Sequence, residues 1–494
     1  MAKLYVFGIG GTGSRVLKAL TMLFASGIKL GNNFDTVVPI IIDPDVANGD
    51  LNRTKNILKS YCEIREKINE PNDFYQQKIQ SVSDVLNNGS VNTNPFELQI
   101  KGTSDSTFQQ YLDFATMSSI QSDATKADQE FVKLLYSNEN LDANLNIGFK
   151  GNPNMGSVVL NQIINSPDFT NFCQSFQTGD AIFIINSIFG GTGAAGFPLL
   201  LKNLRGNTNI PNAAYINPSI IGDITYLPYF TLAKPNDGYK TVNPNTFDEK
   251  AKIALEYYNR TIIDQNQINT IYFIGNKGNT NAETYAEGHS AQKNNAHFLE
   301  MAGALAIIDF CKNITLINHN TIVKEFGIEN DKTNSITFED LNSADTELIA
   351  CPLIKFKIYT EYLSKGLDKS LDVSRWTKSN IKLVSNTKQS LLDNNFFRSQ
   401  EFGLIKFFNE HFTQWCNEME INQPSFSPFN SIGADNIFEI RKNKKPKGSK
   451  SCRDIDSENC RITDNIEFRK NSTTMLIKMF SKSIEKIAKK KEII

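Results

Sequence analysis

Two kinds of apolar pattern alternate along the first two thirds of the chain. Short unbroken runs have the length and β-branched content of strands covered on both faces. They are Leu4 to Gly8, Val37-Val38-Pro39-Ile40-Ile41-Ile42, Asp180-Ala181-Ile182-Phe183-Ile184-Ile185, Ile224-Thr225-Tyr226-Leu227 and Thr270-Ile271-Tyr272-Phe273-Ile274. Between them, Val16, Leu17, Leu20, Leu23 and Phe24 recur at helical spacing. Val158-Val159-Leu160 with Ile163-Ile164 enters a second helix, Leu199-Leu200-Leu201 begins a third, and Phe247 to Ile263 reads as a fourth. Strands and helices in this alternation predict an α/β fold, a doubly wound and mostly parallel sheet.

The pattern is interrupted and then replaced. From about 48 to 146 the chain turns polar, with only local helical patches such as Phe131-Val132 and Leu134-Leu135, and predicts a helical insertion. Phe298, Met301, Leu305, Ile308 and Phe310 mark a long buried central helix over about 294–311. Beyond residue 330, Leu353-Ile354-Lys355-Phe356-Lys357-Ile358-Tyr359 alternates like a strand with one solvent-facing side. Phe402, Phe407, Phe408 and Trp415 sit at helical spacing, as core positions. These predict three parts: 1–330, a smaller α+β domain over 331–420, and a polar, basic segment with an amphipathic tail helix over 421–494. Within the last part, 421–470 reads as a mobile loop or linker around Arg441-Lys442-Asn443-Lys444-Lys445-Pro446-Lys447, and Met475 to Lys491 as the tail helix.

Composition narrows the classes. With 494 residues, 52 Lys and Arg against 53 Asp and Glu, the chain lacks the broad positive field of a dedicated nucleic-acid binder, and no nucleic-acid partner is expected. Seven scattered cysteines do not form a disulfide framework, and the N-terminus meets glycine at position 8 before any secretory apolar run develops. A cytoplasmic protein with reduced thiols is the expectation. Cys452 and Cys460 have no second Cys or His pair near them, so no protein-held metal is expected. The uncharged stretch Ala181 to Leu201 contains Asn186, Ser187, Gly190-Gly191, Thr192 and Pro198, which suits strand, loop and helix better than a membrane span.

Two glycine loops carry the candidate chemistry. Gly8-Ile9-Gly10-Gly11-Thr12-Gly13 follows a strand and opens a helix, the arrangement in which backbone amides and a helix N-terminus meet a phosphate. A dinucleotide or a mononucleotide both satisfy it. The second loop, Phe189-Gly190-Gly191-Thr192-Gly193-Ala194-Ala195-Gly196, has the same setting, and a dinucleotide-binding domain has no role for it. Two such loops at the ends of parallel strands suit the charge of a nucleoside di- or triphosphate. Neither loop carries the lysine of a P-loop.

The second loop resembles the tubulin and FtsZ superfamily signature G-G-G-T-G-[ST]-G, with Phe189 in place of the first glycine and Ala194 in place of the Ser/Thr. The first is similar to the FtsZ loop G-x-G-G-G-G-G-N, with Arg15 where that family has Asn. Further matches fall in family order. Asp43-Pro44-Asp45 stands where the family has a polar loop near the phosphates and Mg²⁺. Lys150-Gly151-Asn152-Pro153-Asn154-Met155-Gly156 is similar to G-A-N-P-x-x-G. Lys234-Pro235 with Phe247-Asp248-Glu249-Lys250 is similar to K-P-F-x-F-E-G, whose acid binds ribose, and Ile274-Gly275-Asn276-Lys277 to I-P-N-D, whose Asn reads guanine. Asn294, Asn295 and Phe298 begin the central helix, with Asn295 or Phe298 near the base; the two asparagines serve equally well as helix caps.

The resemblance implies a divergent bacterial tubulin-like protein. Its ligand is GTP or GDP with Mg²⁺, on Gly10, Gly11, Thr12, Gly13, Arg15, Asp43, Asp45, Gly151, Asn152, Gly190, Gly191, Thr192, Gly193, Ala194, Asp248, Asn276, Asn295 and Phe298. It implies self-assembly head to tail, with the loop after the central helix acting on the neighbour's nucleotide. That loop is N-x-D-x-x-D in the family, but Asn318-His319-Asn320-Thr321-Ile322-Val323 here, without the acids. Slow or absent GTP hydrolysis is the expectation, with Asn318, His319, Asn320, Glu325 and Asp331 the nearby candidates. The basic tail offers a surface for a protein or membrane partner. Two other readings stand beside this one: an NAD(P)-dependent oxidoreductase using Gly8 to Gly13 with Asp43 on ribose, and a nucleotide-bound scaffold that does not polymerise.

Overall fold

The chain is described from a computed structural model over residues 2–68, 74–87, 94–114, 116, 123–149, 151–232, 247–276, 282–283, 288–327, 335–341, 343–378, 380–382, 387–389, 392–463 and 471–494. Lys150, Lys234, Pro235, Lys277 and Asp331 lie outside the described residues. Strands β1 (Ala2–Ile9), β2 (Phe34–Ile42), β3 (Lys78–Ile79), β4 (Ala181–Ser187), β5 (Ile221–Tyr226), β6 (Thr270–Gly275) and β7 (Ile322–Gly327) pair in parallel. Their order across the sheet is β3-β2-β1-β4-β5-β6-β7. Leu4 pairs with Val37 on one side and with Ala181 on the other, and β4 is buried along its whole length, as its unbroken apolar run requires.

Parallel neighbours need crossover connections, and helices supply them on both faces. Ten of the helices are labelled α1 (Gly10–Ala25), α2 (Gly49–Lys67), α3 (Pro153–Leu160), α4 (Gly191–Gly206), α5 (Phe247–Tyr258), α6 (Phe298–Lys312), α7 (Ser343–Lys365), α8 (Gln400–Ile421), α9 (Arg453–Thr463) and α10 (Ser472–Lys490). The chain winds outward from β1 through β2 to β3, then crosses to the other side of β1 for β4 and winds away again. The reversal falls between β1 and β4. In such sheets the crevice at the strands' carboxyl ends opens at that point.

Three expectations need correction. The stretch over 48–146 does not begin as an insertion: α2 packs on α1 and α8 and buries Leu51, Thr54, Ile57, Leu58, Tyr61 and Ile64, and β3 extends the sheet. Leu353 to Tyr359 is not a strand but the middle of α7. The apparent alternation arises because Lys355 and Lys357 bury their stems while their ammonium groups pair with Glu485 (3.7 Å) and Glu361 (2.8 Å). Over 421–470 the described residues are no linker, since Ile437, Phe438, Ile440, Cys452 and Ile455 are buried and α9 packs on α10. The basic run is tied down: Arg441 bonds Glu339 (3.0 Å) and Lys442 lies 3.8 Å from Glu420. The tail helix forms as predicted, but Met475, Leu476, Ile477, Met479, Phe480 and Ile484 of α10 face the interior against α7 and α9. No helix among the described residues is long and apolar enough to cross a membrane.

Candidate functional site

The two glycine loops meet at the reversal point. A Cβ placed on Gly10 would stand 3.4 Å from Thr192 Cβ and 3.8 Å from the Gly193 amide. Each loop is compressed against its own strand: a Cβ on Gly13 would fall 2.4 Å from the Gly8 carbonyl carbon, and one on Gly193 would fall 2.7 Å from the Ser187 backbone N and O. Only glycine lets α1 and α4 start this close to β1 and β4. Gly11, Gly190, Thr192 and Ala194 reach the surface there, while Thr12 is buried. Phe189, at the family's first glycine position, packs on Tyr229 and Phe230.

The helix ends are built differently from their neighbours. Side chains cap α2 (Asn48), α3 (Asn152), α6 (His297), α8 (Ser399) and α10 (Asn471). The N-cap residues of α1 and α4, Ile9 and Gly190, make no side-chain cap bond, and neither first turn contains an acid. Two sets of first-turn amides, with the positive ends of two helix dipoles, therefore share one edge. That arrangement suits an anion.

The other predicted residues distribute around this edge. Gly151 joins it, its amide 3.2 Å from the Cβ position of Gly191, whereas the Asn152 side chain is spent on the α3 cap. Asp43 and Asp45 follow β2, next to β1. Burial, then the charges of Asp45, Glu97 and Asp50, push the Asp43 carboxyl up to about 7, against the lowering effect of the hydrogen bond from the Asp45 amide. Asp45 accepts from the His289 amide at 2.6 Å, and His289 is a neighbour that the sequence did not single out. Asn276 follows β6 at the same end of the sheet, and Asp248 lies exposed in the first turn of α5.

Arg15, Asn295 and Phe298 are engaged with other parts of the chain. Arg15 is buried, its Nη1 3.4 Å from the Cβ position of Gly11, and it donates to Glu300 (2.5 Å), Asp50 (3.3 Å) and the Tyr229 hydroxyl (2.8 Å). Asp50 also accepts from Arg53 (2.6 Å) and the Asn294 amide. Arg53 reaches Glu418 (2.9 Å), whose other oxygen takes Lys18 (3.3 Å). Three cations and three carboxylates thus tie α1 and α2 to α6 and α8. The cavity that Asn295 lines beside them measures about 10 Å³, room for about one water. Phe298 stacks on Phe426 at 4.9 Å. The α6 cap is His297, whose Nδ1 accepts from the Leu299 amide, so the helix starts at Phe298 rather than at either asparagine.

Beneath the second loop lies a buried acid that the sequence reading also missed. Asn186, the residue before Ser187, donates to Asp223 (2.8 Å) and Thr225 (3.0 Å), and Thr225 donates to Asp223 (2.6 Å). Burial raises the Asp223 carboxyl well above the usual range, although both hydrogen bonds pull it down. The folded chain keeps a proton that the unfolded chain loses near pH 4 (about 3.9). That contribution to stability is full below about pH 4 and declines as pH rises toward the folded value. Asp223→Asn should remove this decline, gaining on the parent protein in urea midpoints between pH 4 and 8; parallel profiles for the two proteins would refute the assignment.

Asn318, His319 and Asn320 are exposed in the turn before β7, at the amino ends of the strands. The glycine loops stand at the carboxyl ends. Glu325 is exposed on β7 itself. Within one chain the structure does not bring these four residues to the loops.

No family model matches the chain, and no curated protein matches it at a significant level. Among solved structures it is similar to CetZ2 from Haloferax volcanii in a GTPγS-bound protofilament, at 12% identity and a TM-score of 0.29. The likeness covers 63% of this chain and 59% of that one, less than two thirds of CetZ2's length. The α/β class rests on the seven-stranded parallel sheet of the chain itself.

Proposed function

We propose that this chain is a tubulin/FtsZ-like GTP-binding protein that assembles head to tail into filaments, with nucleotide at the subunit interface and little or no hydrolysis. The observation that carries the reading is the meeting of two uncapped helix N-termini, α1 and α4, at the reversal point of the sheet. The oxidoreductase reading leaves the Gly190 to Gly193 turn without a role.

The donor set fits the phosphates. Among the described residues no group of three or more His, Cys, Asp or Glu is arranged to hold a metal ion unaided, so Mg²⁺ would enter with phosphate oxygens completing its shell. Asn276 stands at the loop end of the sheet and is the residue assigned to the base, since Phe298 is stacked and the space beside Asn295 is far below a purine. Opposite ends for the loops and for Asn318 to Asn320 suit a heterologous contact, in which one copy's amino-end turn covers the next copy's loops. Without acids in that turn, water activation is weak.

The test adds GTP, GDP and NAD to the purified protein and follows binding by calorimetry and assembly by sedimentation. Guanine-nucleotide binding and GTP-dependent pelleting are expected, and both should vanish in the Gly191→Ala/Thr192→Ala double variant. Absence of GTP affinity, or unchanged affinity in that variant, would remove the proposal.

A further inference from the structure

The loops have a partner that comes from another helix. Lys250, in the first turn of α5, donates from Nζ to the Gly151 carbonyl at 2.9 Å, and Gly151 is the residue whose amide stands against Gly191. Among the described residues no carboxylate pairs with Lys250, although it is partly buried and burial pulls its pKa down. Several buried cations are matched by acids, Arg15 by Glu300 and Asp50, Lys18 by Glu418 and Lys357 by Glu361, whereas Arg205 is held by the Asn217, Ser219 and Gln267 carbonyls and the Asn269 side chain, four acceptors against the one of Lys250. A partly buried ammonium held by one neutral carbonyl has no counter-charge beside it. Arg15, the cation in the first loop, is consumed by its carboxylates, and helix ends supply only partial charges. The positive charge that the third phosphate of a nucleotide calls for is therefore not supplied by either loop.

We propose that Lys250 contacts the terminal phosphate of a nucleoside triphosphate, exchanging the Gly151 carbonyl for a phosphate oxygen, and so makes the site distinguish triphosphate from diphosphate. The inference rests on the nucleotide reading above. The exchange replaces a neutral acceptor by an anionic one, which gives the ammonium a counter-charge as well as a hydrogen bond. It also frees the Gly151 carbonyl at the start of α3, so that occupancy by the third phosphate alters the contact between α5 and this loop.

Calorimetric titration of the full chain with GTPγS and with GDP tests it, using Lys250→Ala, Lys250→Gln and Lys250→Arg, with thermal melting as the control for folding. Lys250→Ala and Lys250→Gln should bind GTPγS about tenfold more weakly and GDP within about twofold of the parent, with melting unchanged, and Lys250→Arg should recover GTPγS binding. Equal losses for the two nucleotides, or no loss for either, overturn the role of Lys250 alone. If the unaltered chain binds neither nucleotide, the nucleotide reading itself falls.

Discussion

Glu300→Ala is expected to lower folding stability by about 3–5 kcal/mol, the range for stripping one partner from a buried ion pair. Glu300 accepts from Arg15 Nε and from the Tyr229 hydroxyl, and its other oxygen takes the His297 amide at the start of α6. Truncation leaves the guanidinium facing an emptied space, with only Asp50 at 3.3 Å as counter-charge, and orphans a helix-end amide as well. Urea denaturation at constant slope measures the loss. Arg15→Met/Glu300→Leu, which removes both charges and keeps the volume, should recover most of it, because an apolar pair carries no desolvation cost. A Glu300→Ala loss below about 1 kcal/mol would show that water or Asp50 compensates Arg15, and the network would then be no more than surface-like.

Gly13→Ala and Gly193→Ala should each cost about 3 kcal/mol or more and abolish ligand binding. In both, the new methyl meets main chain, at 2.4 Å for Gly13 and 2.7 Å for Gly193, so no rotamer change relieves the clash and the first turn of α1 or α4 has to lift from its strand. Lifting either turn separates the two sets of amides that share the edge. Gly403→Ala in α8 is the control: nothing lies within 4 Å of its Cβ position, and it should stabilise by about 0.5–1 kcal/mol through helix propensity. Retained binding in both loop variants, with melting temperatures unchanged, would contradict the packing described for these loops.

The sheet was legible wherever burial is two-sided. The runs at β1, β2, β4, β5 and β6 contain few polar residues to confuse their length, and the glycine loops declare themselves because a close approach admits one residue type only. What misled was polarity with a partner far off in sequence. The lysines of α7 look solvated until Glu485 and Glu361 are in place, and α2 looks like an insertion because its outer face is charged. The described part of the 421–470 stretch is held by scattered side chains such as Phe438 and Ile455 rather than by a periodic face. The site divides the same way. Its glycines are local, whereas Glu300 reaches Arg15 across 285 residues and Lys250 reaches Gly151 across 99, separations that no motif spacing encodes.

The two margins of the sheet are blunt in different ways. On one side β3 offers just Lys78 and Ile79 to an incoming strand. On the other, β7 presents Lys324, tied to Asp309, and the exposed Glu325. A strand arriving sideways would find either too few hydrogen-bonding groups or a charged gatekeeper, and lateral fusion of sheets is disfavoured. Copies of this chain that associate are thereby steered away from amyloid-like stacking along the sheet margins and toward contacts at the two poles.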